Sequence, residues 1–467
     1  MLRMLRAMAV GGHGCYSEER VRAFDAYCQK TSRRRAFAVC ILSPVPSLLY
    51  VIILEAAFPL APPEEGWAAN YNAWIRMYCA GIVLAHSLVS LGGRFVPDFQ
   101  FPRRVVACTA IATGTIYILV CIGWAALWVY PLPFFLLLTT GPYMVIWATC
   151  FRCIVDTTCL RQVQNLRFKL LNFVKAVVWI CALTLFYPAY TALCATQTGY
   201  LYVFITVLPT LLKTGMKAKL ASYCRAVGQE DQISSVIQFT IEVFHSLYII
   251  NCVQLSTNAA LSTLAFVLLD LGPSLLNSHK ILRGARSVSP SPTKQIIPPV
   301  PTKPRLTQEL GNRISRTMPG PVWRNASKIT FRSAASRRVL LMCEYHLVYE
   351  FVESFIPVAY MIYLSILYHL PNRKYYPHMA ALQTDADLHR MLLNISVFAV
   401  LETTSLIFFC RVVQRKLGMS GLFQLAFFLE DQCEMVQAWL FLWMPYCLFF
   451  TVKHGGVDFT LKFAWIH

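Results

Sequence analysis

Charge is what this 467-residue chain has least of. Only 14% of its residues are Asp, Glu, Lys or Arg, 57% belong to the hydrophobic set, and mean hydropathy is +0.51. A soluble globular chain carries about 25% charged residues, so a soluble enzyme and a free disordered regulator are both excluded. Acid is scarcer still, with 23 Asp and Glu against 42 Lys and Arg. Catalytic signatures are missing too. There is no Gly-x-Ser-x-Gly, and Gly418-Met419-Ser420-Gly421 has the wrong spacing for a nucleophile elbow. No His-Glu-x-x-His, Walker loop or dinucleotide loop occurs. These gaps argue against a hydrolase, a metalloenzyme or an ATP-driven pump, and no catalytic residue, metal or cofactor is assigned. A membrane-embedded enzyme of another class stays open. Arg3 and Arg6 interrupt the N-terminal apolar stretch, which is too short for a signal peptide.

What is present is long apolar sequence. Residues 105–151 hold no charged residue in 47 positions, and 176–212 none in 37. About 20 apolar residues cross a bilayer core, so each tract predicts two helices. Tyr130-Pro131-Leu132-Pro133 breaks the first, and Thr196-Gln197-Thr198-Gly199 the second. Spans are predicted at 37–58, 73–92, 105–129, 132–151, 173–194, 200–220, 234–255, 259–277, 345–368, 391–410 and 434–452. The fold class read from this is an all-α polytopic transmembrane helix bundle of about eleven spanning helices, with ten as the alternative.

Base is concentrated where a membrane protein would keep it. Residues 1–36 hold eight Lys/Arg and three acids, a net of +5, and 278–338 hold thirteen and one, a net of +12. Together these account for +17 of the chain's +19. Positive-inside placement explains the excess without nucleic acid. Arg33-Arg34-Arg35 puts the N-terminus in the cytosol, and alternation of the basic loops leaves the C-terminus outside. The residues do not distinguish a plasma membrane from an endomembrane. Four segments follow: a basic N-terminal arm, 1–36; a bundle of eight helices, 37–277; a disordered Pro/Ser-rich cytosolic loop, 278–338; and a bundle of three helices, 339–467.

The run FVESFIPVAYMIYLSILYHLPNRKYYPHM, residues 351–379, resembles a group of polytopic membrane proteins of oomycetes. Residues 236–248, 418–450 and 453–463 resemble it as well, so that the likeness covers most of 232–467. The resemblance implies a multi-pass membrane protein and brings no activity with it.

The residues most open to a functional reading are acids at membrane depth, where an unpaired charge costs about 3 kcal/mol on insertion scales. Glu242 and His245 share a helix face at i,i+3, as do Glu350 and Glu353, with Glu344 two turns earlier. Asp431 and Glu434 lead into the last helix, and Glu402 lies within an apolar run. These eight are the candidates for a substrate or proton path. The competing reading puts them at headgroup level, paired with Arg337, Arg338, Arg411 or Arg415. In the loop, Ser289 and Ser291 precede prolines and are candidate phosphosites. Pro298, Pro301 and Lys303 fit a polyproline ligand for an SH3-type groove, and the loop's charge fits anionic lipid headgroups. Cys150, Cys153 and Cys159 form the densest cysteine group but have no histidine beside them, which favours packing over zinc. Three functions compete: ion- or proton-coupled transport, a membrane-anchored adaptor or receptor acting through 278–338, and an embedded enzyme.

Overall fold

The computed structural model describes residues 15–96, 101–155, 165–196, 200–227, 230–255, 278–279, 281, 283, 333–458, 462–463 and 465–466. Among them are thirteen α-helices of ten residues or more: α1 Glu18–Lys30, α2 Arg33–Leu42, α3 Val45–Ala57, α4 Tyr71–Phe95, α5 Arg103–Leu127, α6 Phe135–Ile154, α7 Leu166–Thr196, α8 Tyr200–Val227, α9 Glu230–Leu255, α10 Ala334–His369, α11 Asp385–Leu417, α12 Gly421–Asp431 and α13 Cys433–Phe449. Their boundaries follow local chemistry. Ser17, Ser32 and Ser333 accept from the third residue onward and cap α1, α2 and α10. Thr384 and Asp387 form a capping box at α11, which ends on Gly418 at φ 67°. Pro44 opens α3, where its missing N–H costs nothing.

The chain is an integral multi-pass membrane protein, but among the described residues fewer helices are of membrane length than the apolar tracts predict. Six among the described residues are long and apolar enough to cross: 33–57, 71–95, 103–127, 166–190, 334–369 and 385–417. The expectation of ten or eleven is overturned by the remaining tracts. Residues 132–151 become α6, which holds Pro142 within it and carries Thr139, Thr140 and Arg152. Residues 200–220 become α8, with Lys213, Lys217, Lys219 and Arg225 along it. In α9 the described side chains, Ser235–Ile250, are all buried. α13 has only 17 residues, most of them buried. Tract 259–277 lies outside the described residues. Hydropathy registers apolar atoms without registering what covers them. In α9 and α13 the covering is protein.

Four helices run side by side in one direction. α3 and α13 are in contact along their length, joined by Gln437 to the Ser43 carbonyl (2.7 Å) and Ser47 to Met444. α9 packs on α13 and α10, and α10 on α3. α4 and α8 run against this direction, with Ser87 of α4 donating to the Ala438 carbonyl (3.0 Å). One apolar core runs from Ala36 to Val452 and takes in residues from α2 to α9 and from α10 onward. α10 has 72% of its most apolar window buried and α11 only 22%, so α10 is a core helix and α11 a peripheral one. Leu393, Val397, Val400 and Phe408 are the exposed side of α11. α4 and α5 cross closely where Gly81 and Gly114 meet, and a Cβ on Gly114 would stand 2.8 Å from Ile82.

Candidate functional site

α9 has polar residues at three- and four-residue spacing within a fully buried stretch: Ser235, Gln238, Glu242 and His245. Each has a polar or charged neighbour, as a buried polar group requires. Ser235 donates to Glu344 of α10. Gln238 donates to Glu242 one turn on (3.4 Å). His245 Nδ1 meets the Tyr187 hydroxyl of α7 at 2.6 Å. Ten residues separate Ser235 from His245, about 15 Å of helix.

The centre of this line is an ionic cluster built by three helices. Lys213 Nζ of α8 lies 3.4 Å from Glu242 and 3.7 Å from Glu353 of α10. Lys217, one turn along α8, is paired with the other Glu242 oxygen. Both ammonium groups lie over the Tyr349 ring, at 5.0 and 5.4 Å. All four charged side chains are at most 10% exposed. Glu350 stands beside His346 at 3.4 Å. Pro209 precedes Lys213 by four residues and Pro357 follows Glu353 by four. Proline removes a backbone donor, so two of the three helices lack one helical hydrogen bond about a turn from the charges they carry.

A second ion pair lies toward the N-terminus. Arg20 of α1 places one guanidinium nitrogen 3.0 and 3.1 Å from the two Glu344 oxygens, and the same carboxylate accepts from Tyr16. Asp431 comes to 3.9 Å of Arg20. A third closes the opposite end of the bundle. Glu55 accepts from Arg76 (3.1 Å), Asn372 (2.9 Å), Tyr363 (3.5 Å) and Tyr376. His454 Nε2 lies 2.7 Å from the Ala61 carbonyl and 2.9 Å from Asn70 beside it.

The acids singled out in the sequence separate into groups. Glu242 and Glu353 meet through Lys213, and Glu350 joins His346. Glu344 belongs to the Arg20 pair. His245 turns to Tyr187, and Glu402 is buried on α11. Asp431 and Glu434 are exposed rather than interior. Arg337 pairs with Glu18 at 2.8 Å, leaving Glu350 and Glu353 to interior partners. Ser289, Ser291, Pro298, Pro301, Lys303 and Cys159 lie outside the described residues. Sequence reasoning missed Lys213 and Lys217, whose i,i+4 spacing reads as a helix end reaching for water. It also missed Arg20, Glu55 and Arg76, each of which looks like an ordinary flanking charge until its partner is known. Among the described residues no group of three His, Cys, Asp or Glu is placed to hold a metal. No family model, curated protein or solved structure matches the chain.

Proposed function

We propose that the protein moves protons, or an ion coupled to protons, through the bundle, with Lys213, Lys217, Glu242 and Glu353 as the coupling site. The observation that carries this reading is the meeting of two lysines and two glutamates from three helices within the buried core. With all four ionised the cluster is neutral. A proton on Glu242 leaves it positive and frees Lys217 from its partner, while Lys213 retains Glu353. Protonation therefore changes which helices are tied together, a two-state bias of the kind that drives coupled transport. Pro209 and Pro357 support the same reading, since each removes a backbone donor about one turn from a charge of the cluster.

The orientation we infer puts the N-terminus in the cytosol and the C-terminus outside. Arg33-Arg34-Arg35 supports the first. For the second, the Arg20 and His454 clusters lie at opposite ends of α10, toward Glu344 and Tyr375 respectively. We also read the basic 278–338 loop as a contact for anionic headgroups and, through Pro298 to Lys303, for an SH3-type domain, with Ser289 and Ser291 as its switch.

The coupling site is tested with purified protein in vesicles enclosing a pH-sensitive dye. Glu242→Gln and Glu353→Gln should each lower proton flux under an imposed ion gradient by about tenfold or more. Equal fluxes in wild type and the double variant across Na+, K+, Cl− and pH gradients would remove the proposal. Thermal unfolding of the same samples separates loss of flux from loss of fold.

A further inference from the structure

Arg20 and Phe24 are the buried residues of α1, and Val21, Tyr27 and Cys28 pack partly buried beside them, with the Phe24 and Tyr27 rings 5.5 and 5.6 Å from Phe427. The pocket that receives the guanidinium is made by other helices. Glu344 of α10 forms its floor, with no exposed surface, and Ser235 of α9 donates to it. Asp431, exposed to solvent, stands at its mouth. The Phe427 ring of α12 lies 5.8 Å from the guanidinium carbon, and Tyr16 faces it at 4.9 Å. Gln424 of α12, itself fully buried, donates to the Leu340 carbonyl (2.8 Å) and reaches the Tyr16 hydroxyl, while its side-chain oxygen has no hydrogen-bond partner.

We propose that Glu344, Asp431, Phe427 and Gln424 form a recognition site for a guanidinium-bearing solute, held in this conformation by the chain's own Arg20 as a tethered occupant. The chemistry is specific to that group. A planar cation presents several N–H donors at once, and the pocket offers a carboxylate at the floor, a second at the mouth and an aromatic face, with the buried Gln424 amide behind Tyr16. An ammonium ion offers a point charge with no plane to stack on Phe427. When α1 withdraws, Arg20 and Tyr16 leave together, and a buried carboxylate without a cation is costly. The vacated site then takes a guanidinium from solution. Through Ser235 it is continuous with the polar line of α9. The assignment of this solute as the transported species rests on the function proposed above, whereas the recognition site itself does not.

The experiment is chemical rescue of the full-length protein in detergent, read as thermal midpoint. Arg20→Ala should lower the midpoint. Methylguanidinium at millimolar concentration should restore about 2–4 °C. Tetramethylammonium at the same concentration should restore nothing, and wild type should respond to neither. Adding Glu344→Gln to Arg20→Ala should abolish the rescue. No rescue of Arg20→Ala, equal rescue by both cations, or rescue that survives Glu344→Gln would each overturn the site. If Arg20→Ala does not fold, Arg20→Lys supplies the same comparison with the charge retained and the plane lost. Rescue without solute or proton flux in vesicles would sink the transport reading and leave the site standing. Flux without rescue would do the reverse.

Discussion

Replacing Arg76 by Met removes a guanidinium from a position only 3% exposed and leaves a side chain of similar reach. The partner left behind is Glu55, 1% exposed. Removing one member of a buried pair costs about 3–5 kcal/mol, because the other charge loses its compensation. Glu55 keeps Asn372 and two tyrosine hydroxyls, so the expected loss is at the lower end, about 3 kcal/mol. Arg76 also donates to the Phe58 carbonyl at 2.6 Å, and that acceptor is orphaned as well. Glu55→Gln alone should cost a similar amount by leaving the guanidinium unopposed. The double variant Glu55→Gln/Arg76→Met should then lose much less than the sum, with a coupling of about 2–3 kcal/mol. The assay is thermal unfolding of the purified protein in one detergent at one pH. An Arg76→Met protein within about 1 kcal/mol of wild type, or a double variant equal to the sum of the singles, would refute the claim that this pair holds the end of the bundle.

Gly456→Ala should destabilise by about 1–3 kcal/mol: Gly456 has φ 56°, and a Cβ there would fall 2.1 Å from the Leu132 carbonyl oxygen. An unchanged midpoint would show that this contact relaxes freely. Burial pushes the His378 and His454 imidazoles down to about 4, below the usual value of about 6.5. Between those values the unfolded chain binds the protons and the folded one does not, so stability falls as pH drops from about 6.5 toward 4, by about 2–3 kcal/mol per histidine at most. His378→Gln should flatten the midpoint-versus-pH curve in this window, and a wild-type curve already flat there would contradict the sign. A reporter fused after Arg305 should read cytosolic and one after the C-terminal residue exoplasmic, with Asn325 unglycosylated; a glycan on Asn325 inverts the orientation.

Membrane residence was legible in the sequence because it depends on composition: 14% charge cannot cover a water-facing surface of this size. The Tyr130–Pro133 break was legible for a similar reason, since proline acts through its own backbone, whereas the Thr384–Asp387 cap and Gly418 set ends for α11 that lie outside the 391–410 read from hydropathy. The number of membrane-length helices was not. α9 and α13 are as apolar as a lipid-facing helix, and only their neighbours show that protein covers them. Spacing marked Glu242, Glu350 and Glu353 as acids needing a partner at depth, yet it attached Glu242 to His245, which turned instead to Tyr187. The partners Lys213, Lys217, Arg20 and Arg76 lie 21 residues or more away in sequence: 25 from Lys217 to Glu242, 324 from Arg20 to Glu344, 21 from Arg76 to Glu55. Helical periodicity relates a residue to positions three or four along, and a charge bound across helices leaves no trace at that range. Which acid meets which base was decided by how the helices pack. That packing minimises uncompensated charge over the whole bundle, a property no local stretch of the chain contains.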